Sequence, residues 1–210
     1  EKEHSFDCDK AIWGAKLIAW GYFKKIAIAD VLSSSVDIVY NQVTNFTGLA
    51  LGVATFFYAF QVYCDFSGYS DIARGVACLF DIDLVNNFKS PYFAASIKEF
   101  WGRWHISLST WFRDYVYIPL GGNRCGKLRQ CVNILVVWAL TGFWHGAGWN
   151  FLFWGFYYGV LLLLEKLLLG KYIRRLPAVF QHLYAMVIVI IGWVFFASPD
   201  LSTALAYLQG

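Results

Sequence analysis

Charged residues are scarce in this chain, at 15% of 210 residues, whereas aromatic residues make up 20%. Soluble domains carry about 25% charged residues. Three runs contain no Asp, Glu, Lys or Arg at all: 38–64, 130–164 and 176–199. A helix that crosses a bilayer needs about 20 mostly apolar residues. We therefore predict a span in the first run, a tight pair in the second and a span in the third, because a small soluble core buries such runs poorly.

Several chemical signatures are also absent. The odd number of cysteines, five, argues against a full disulfide framework, and the absence of Cys-x-x-Cys spacing gives no indication of a zinc site. There is no Gly-x-Ser-x-Gly elbow, no P-loop and no dinucleotide fingerprint. The net charge of +3 is too small to indicate a nucleic-acid surface. We expect no metal, no bound cofactor and no nucleic-acid partner.

The pattern along the chain predicts an all-α, polytopic transmembrane helix bundle with interfacial or re-entrant helices. The predicted spans are 47–64, 131–145, 150–169 and 178–198, with 11–29 as a span or interfacial helix and 201–209 as a further helix. The polar segment 33–45 is predicted to be a loop, and 93–117 one amphipathic helix. The chain lacks an initial Met and both ends look cut. We expect residues 1–210 to be a fragment of a single membrane domain, with N-terminal spans and the C-terminus missing.

Charges between the spans predict their orientation. Basic residues precede the paired spans at Arg124, Lys127 and Arg129, and follow them at Lys171 and Arg174. Two spans return the chain to the same side, so both basic loops can be cytoplasmic. The chain is therefore expected to be a multi-pass protein of the cell membrane, with lipid as its surroundings.

The segment 65–87 mixes charged and apolar residues. Charges at membrane depth are costly unless they face a bundle interior or water. We therefore expect Asp71 and Arg74 to face the protein interior, in a stretch that lines a cavity or lies at the interface.

Two histidines are the candidate chemical groups. His145 lies in Phe-Trp-His-Gly-Ala within the longest charge-free run, where an ionisable group is a functional hypothesis by default. The alternative is that His145 is a structural residue, which is the usual role of a lone histidine on an apolar face. His105 lies in a polar and aromatic cluster with Arg103, Ser107 and Arg113, which suits an anionic or carbonyl-bearing ligand. Its alternative role is that of a polar residue at headgroup level.

Five motifs in order carry a resemblance to a known family: 21–30, 63–71, 86–92, 99–124 and 143–147. They resemble the signature of the alginate O-acetyltransferase branch of the membrane-bound O-acyltransferase family, and the match runs from about residue 11 to residue 166. The stretch Ile-Pro-Leu-Gly-Gly-Asn-Arg is usually lacking in family members that D-alanylate teichoic acid. Its presence here favours O-acetylation of a polysaccharide.

The resemblance implies helices around a tunnel, with His145 as the family's catalytic histidine and His105 as its second signature histidine. A neutral imidazole can take the proton of a sugar hydroxyl, so we expect His145 to be the general base. Tryptophans would wall the tunnel and exclude water. The tentative lining or substrate residues are Trp104, Arg103, Ser107, Trp144, Asn87 and Asp71, together with Trp149.

The same resemblance implies the reactants. The acyl donor, acyl-CoA or an acyl-carrier protein, would be a substrate, and the acceptor a surface polysaccharide outside the cytoplasm. An extracytoplasmic partner transferase is expected by family analogy. Three alternatives stay open: D-alanyl transfer to teichoic acid by the same fold, a transporter that uses Asp71, Arg74 and His145, and a scaffold subunit of a polysaccharide-export complex.

Overall fold

The computed structural model describes residues 6–210, and this part of the chain is helical and contains no β-strand. The all-α prediction is confirmed. The chain divides into two compact units, one ending at Phe88 and the other formed by Lys89–Gly210. Each unit is described by itself, and a single membrane domain stays a prediction.

The first unit begins with one long helical segment. It consists of α1 (Cys8–Tyr22), a π-helical stretch (Phe23–Ala29) and α2 (Asp30–Asn41). The Asp7 side chain caps α1 by accepting from the backbone N–H groups of Asp9 and Lys10, at 2.9 and 3.1 Å. A turn of 3₁₀ helix (Val43–Asn45) leads to α3 (Leu49–Leu79), which confirms and extends the predicted span 47–64.

The predicted loop at 33–45 is wrong, because the helix continues to Asn41. The hydroxyls of Ser33 and Ser34 donate to backbone carbonyls three residues earlier, both at 2.9 Å, so the helix itself satisfies these polar groups. Val36 and Tyr40 are buried on one face. Packing of this face therefore outweighs the weak helix propensity of the serines.

Glycines set the distance between α1 and α3. Gly14 faces Gly75, and Gly21 faces Gly68, as expected for antiparallel helices in contact. A Cβ added to Gly75 would lie 2.5 Å from the carbonyl oxygen of Gly14, and one added to Gly68 would lie 2.8 Å from that of Gly21. The two backbones therefore touch directly, a packing mode common between membrane helices.

A buried ionic cluster lies beside this crossing. Lys24, which is only 7% exposed, places its Nζ 2.9 Å from the Ser67 hydroxyl and 2.8 Å from the Asp71 carboxylate. Arg74 is 3.4 Å from the other oxygen of the same carboxylate. Asp71 and Arg74 thus have protein partners, as their expected interior position requires, and Lys24 is a partner that the sequence prediction did not include.

The second unit carries the remaining helices. They are α4 (Ile97–Arg103), α5 (Ile106–Phe112), a π-helical turn (Arg113–Tyr117), α6 (Lys127–His145), α7 (Trp149–Leu164), a second π-helical turn (Glu165–Leu169), α8 (Gly170–Ile173), α9 (Ala178–Ala197) and α10 (Leu201–Gln209). The helices predicted at 131–145, 150–169, 178–198 and 201–209 are all present, with shifted bounds.

The single helix predicted at 93–117 is wrong. The chain breaks at Trp104 and His105, where Trp104 is extended and His105 has the left-handed angles φ 46° and ψ 56°. Trp104 is held by stacking on Phe100, with ring centroids 5.6 Å apart. Ser107 and Trp111 are exposed, so they do not share a buried face with the two aromatic residues.

Three helices in the described part of the chain are long and apolar enough to cross a membrane: Leu49–Leu79, Trp149–Ile173 and Ala178–Ala197. This supports a multi-pass membrane protein. The two predicted basic loops lie at the same end of the α6–α7 pair, because the Lys166 ammonium donates to the Gln130 side-chain oxygen at 2.9 Å.

The close contact between the glycines of α1 and α3 predicts different thermal stabilities for a glycine-to-alanine substitution at two sites of α3. We expect Gly75→Ala to lower the thermal midpoint in detergent, because overpacking of this kind costs about 1–3 kcal/mol. The matched control is Gly52→Ala, where an added Cβ has no neighbour within 4 Å. There alanine should leave the midpoint unchanged or raise it slightly. Equal midpoints for the two variants would contradict the close crossing.

Membrane orientation can be tested at both basic loops. In a background without native cysteines, Lys127→Cys and Arg174→Cys should both resist a membrane-impermeant thiol reagent in intact cells and react after permeabilisation. The physical reason is that positively charged loops are retained in the cytoplasm. Labelling of only one site in intact cells would contradict the arrangement of α6 and α7.

Candidate active site

A cavity of about 1090 Å³ lies within the second unit and contains both candidate histidines. His105 and His145 line it together with Trp104, which the sequence analysis also predicted. Forty residues of sequence separate the two histidines, and the folded chain brings them to one wall of one cavity. Helices α4, α5 and α6, together with the segment 165–174, supply most of the lining.

His105 lies at the tip of a helical hairpin formed by α4 and α5. At the base of the hairpin, the Ile97 amide donates a hydrogen bond to the Glu165 side chain, and the Asn133 side-chain amide donates one to the Leu120 carbonyl. The tip lies beside Trp144, whose ring centroid is 5.9 Å from that of His105. Burial lowers the pKa of His105 to about 4, so its imidazole is neutral at pH 7.

His145 is the last residue of α6, and aromatic rings surround it. Its ring centroid lies 4.8 Å from Trp144, 5.2 Å from Trp154 and 5.0 Å from Phe196, each pair close to perpendicular. A Cβ on Gly146 would lie 2.7 Å from the Phe151 ring, so glycine permits this ring to approach the end of the helix. The imidazole is therefore held by apolar packing at the end of a helix.

Trp144 contacts both imidazoles. Although it was predicted as a tunnel residue, its side chain is 57% exposed and it is not among the residues that line the cavity. It packs between the two histidines on the outside of the cavity wall. Because the Trp144 ring contacts both imidazoles, this one tryptophan helps to orient His105 as well as His145.

The other predicted lining residues have different positions. Arg103 and Ser107 are not among the residues that line the cavity. Arg103 pairs with Glu99, which does line it, and donates to the Ser90 carbonyl at 3.3 Å. Trp149 is 78% exposed and likewise not in the lining. A role for these side chains in substrate binding stays a prediction.

Asp71 and Asn87 belong to the first unit. Asp71 is held by Lys24 and Arg74, as described above. Asn87 donates its side-chain amide to the Ser70 hydroxyl at 3.5 Å. Their predicted role as tunnel-lining residues likewise stays a prediction.

Two tryptophans that the sequence analysis did not single out, Trp101 and Trp138, form the cavity wall together with Trp104. Other aromatic rings pack against these three. The Trp101 ring, at the centre, lies 4.9 Å from Trp138 and 4.8 Å from Tyr158. Trp104 packs 4.9 Å from Trp193, whose Nε1 donates to the Tyr92 hydroxyl at 3.2 Å. The available signal was the three-residue spacing of Trp101 and Trp104, which is close to one helical turn. Such a wall keeps water from the reacting groups.

The far end of the cavity is basic, and the sequence analysis used two of its residues, Lys171 and Arg174, only for membrane orientation. The charged lining residues here are Lys98, Lys166, Lys171 and Arg174, together with the carboxylates of Glu99 and Glu165. Arg113, predicted in the polar cluster around His105, lines the cavity as well. Gln130 marks this end on α6 and His145 the other, fifteen residues and ~22 Å apart at the rise of an α-helix. The cavity therefore joins a cationic end to an apolar end with two histidines.

The family model of the membrane-bound O-acyltransferases matches residues 11–205. The chain belongs to the membrane-bound O-acyltransferase family. This family membership confirms the resemblance carried by the five sequence motifs. It also places His105 and His145 within the matched region, without testing their roles.

The relatives of this chain are named for several acyl-transfer reactions. It is 38% identical to the "Peptidoglycan O-acetyltransferase" of Helicobacter pylori, over 94% of this chain and 38% of the relative. It is 42% identical to the "Probable alginate O-acetylase AlgI" of Azotobacter vinelandii, over 93% of this chain and 39% of the relative. It is 32% identical to the "Teichoic acid D-alanyltransferase" of Streptococcus thermophilus, over 74% of this chain and 40% of the relative. The chain thus spans about two fifths of the length of these relatives.

The left-handed backbone of His105 predicts an unusual order of stability. In an ordinary helix alanine is more stable than glycine, but a left-handed residue with a Cβ costs about 1–2 kcal/mol. We therefore expect His105→Gly to have a higher thermal midpoint than His105→Ala. The control pair is Thr110→Gly and Thr110→Ala, within α5, where alanine should be the more stable. The same order at both positions would contradict the described conformation of His105.

Proposed function

We propose that the protein of which this chain is part is an O-acyltransferase that moves an acetyl group from a cytoplasmic donor to hydroxyls of an extracytoplasmic cell-surface polysaccharide. The observation that carries the proposal is one aromatic cavity with two histidines at one end and cations at the other. The names of the peptidoglycan and alginate relatives support acetyl as the acyl group and a polysaccharide as the acceptor.

His145 is the proposed general base. As the acceptor hydroxyl approaches the donor carbonyl, the imidazole takes the hydroxyl proton and the oxygen forms the new ester bond. The carbon–sulfur bond of the donor thioester then breaks, and the leaving thiol recovers the proton. Apolar surroundings support this role because they disfavour the charged imidazolium and keep the base neutral before the reaction.

His105 is the proposed second catalytic histidine. Its ring and that of His145 both contact Trp144, which keeps the two imidazoles in one region of the cavity. A neutral imidazole carries one N–H donor, which can bind the carbonyl oxygen as negative charge develops on it. His105 would thus orient the donor and stabilise the oxyanion while His145 moves the proton.

The basic end of the cavity is the proposed entry for the acyl donor. Acyl-CoA and acyl-carrier proteins both carry the acyl group on a thiol attached to a phosphate-bearing arm. Lys98, Lys166 and Arg174 would attract such a phosphate, while the acyl group extends toward the histidines. The donor is a substrate in this proposal, and the chain's residues need no bound cofactor for the transfer.

The proposed orientation places the basic end in the cytoplasm and the histidine end toward the outer side. The acyl group would then cross the membrane inside the protein, without the donor crossing as a whole. An extracytoplasmic partner transferase would carry the group to polymer that lies further from the membrane. Such a partner is proposed by analogy with the family.

D-alanyl transfer to teichoic acid is the second candidate, and the relationship to the Streptococcus thermophilus protein is the observation that favours it. The two candidates differ in the acyl group, because D-alanine carries an amine that is cationic at pH 7. A cavity with several cations along its path disfavours a positively charged acyl group. Acetyl is therefore the better match.

Replacement of the proposed base tests the function. We expect His145→Ala in the full-length protein to reduce acylation of the surface polymer by about 10²-fold or more, the usual contribution of a general base. The measurement is acetyl content of the polymer, normalised to membrane-inserted protein. The matched control is Val136→Ala, a partly exposed residue of the same helix outside the cavity lining, which should acylate normally. Acylation near the wild-type level in His145→Ala would refute the assignment of the base.

A further inference from the structure

Glu165 is a buried carboxylate, 7% exposed, at the end of the longest charge-free run of the sequence. Its two oxygens accept hydrogen bonds from consecutive backbone amides of another helix: Oε1 from Ile97 at 2.8 Å and Oε2 from Lys98 at 3.1 Å. These amides begin α4, the helix that leads to His105. Glu165 therefore joins the membrane-spanning segment Trp149–Ile173 to the hairpin that carries a proposed catalytic histidine.

The first amides of any helix have no acceptor within the helix. At the base of α4, side chains fill this need: Ser96 Oγ accepts from the Glu99 amide at 3.1 Å, and Glu99 Oε2 accepts from the Ala95 amide at 2.8 Å. His182 of α9 donates its Nδ1–H to the Ala94 carbonyl at 3.0 Å. Of these groups, Glu165 alone binds two amides at once, and its acceptor oxygens lie at the positive end of the helix dipole.

The helix between Glu165 and His105 is short. α4 has seven residues, about 10 Å of helix, and ends at the stacked Trp104. A short helix that is packed through one buried face, at Ile97 and Phe100, transmits a shift at its base to its tip. Glu165 also opens the π-helical turn Glu165–Leu169, a local widening that often occurs at functional sites.

We propose that Glu165 is a positioning residue for the transfer reaction: it fixes the base of α4 and thereby sets the place of His105 in the cavity. The inference rests on the proposed function for the role of His105. It does not make Glu165 a binding site for the donor, although Glu165 lines the cavity near Lys98 and Lys166. A binding role would change the donor KM, whereas positioning changes kcat.

Kinetics of the purified full-length protein separate these roles. We expect Glu165→Ala to lower kcat by ~10- to 100-fold, as small misplacements of a catalytic group do, with donor KM within about twofold of wild type. The kcat of Glu165→Gln should fall between those of wild type and Glu165→Ala, because the glutamine side chain offers an acceptor to only one of the two backbone amides. The control is Tyr157→Phe, in the same membrane-spanning segment as Glu165. It removes a hydrogen bond of similar length, 2.9 Å from the Tyr157 hydroxyl to the Ile188 carbonyl. It should retain wild-type kcat.

A double-mutant cycle tests whether Glu165 acts through His105. In a His105→Ala background, Glu165→Ala should cause no further loss of kcat, since the group it positions is gone. An equal loss in both backgrounds, or a loss confined to KM, would overturn the proposal.

A labelling experiment provides a readout that does not depend on activity. Gly102 lines the cavity on α4 and has open space around a new Cβ, so Gly102→Cys is a mild probe. In a background without native cysteines, its reaction rate with a thiol reagent should rise about fivefold in Glu165→Ala, the effect of a lost helix cap of typical strength. It should stay constant in Tyr157→Phe. An unchanged rate in Glu165→Ala would overturn the proposal, and a wild-type protein that transfers no acyl group would instead refute the proposed function alone.

Discussion

The first amides of α4 have no acceptor within the helix, and the arrangement of the second unit depends on the side chains that accept from them. A helix that begins inside the protein must find acceptors for its first N–H groups, since each one left without a partner costs several kcal/mol in an apolar environment. Here a neighbouring span supplies a carboxylate, and α9 supplies a histidine for the adjoining carbonyl. The same bonds that satisfy the backbone also fix the direction of the hairpin. The positions of Trp104 and His105 follow from it.

Apolar burial favours the neutral form of both histidines. A proton acceptor must be neutral before the reaction, and desolvation disfavours the charged form of an imidazole. The aromatic wall of Trp101, Trp104 and Trp138 therefore has an electrostatic consequence in addition to packing. Charges are placed at the other end of the cavity, where an anionic donor is expected. Separation of the two environments within one cavity is what makes the transfer chemistry plausible for this fold.

Much of the helical architecture could be predicted from where charge is absent. The helices around 131–145, 150–169 and 178–198 follow the charge-free runs, because composition over about 20 residues is a strong signal. The helix through Ser33 and Ser34 was missed because its polar residues bond within the helix and its packing is tertiary. No proline or glycine stands at Trp104 or His105 to indicate the break. The extended Trp104 stacks on Phe100 and packs against Trp193, which is far away in the sequence.

The two histidines of the site could be found from the sequence, whereas their support could not. His145 and His105 belong to recognisable motifs, but Glu165 is a single carboxylate where an apolar run ends, a common position for a charge at a membrane boundary. Its bonds to Ile97 and Lys98 span nearly seventy residues of sequence. Lys171 and Arg174, which line the same cavity, were attributed to orientation only. Long-range hydrogen bonds of this kind leave no local pattern.

The π-helical turn after α7 has a consequence for how the chain tolerates changes in length. The carbonyl of Glu165 accepts from the amide of Gly170, five residues later, so this turn holds one residue more than an α-helical turn. Each residue of an α-helix rotates the chain by about 100°. A one-residue deletion elsewhere in this helix would therefore turn Lys171 and Arg174 away from the cavity that they line, whereas a deletion between 165 and 170 would let the amide of Gly170 bond the same carbonyl in a regular α-helical turn. This turn is therefore the place where the helix can lose one residue with the least effect on the residues that follow.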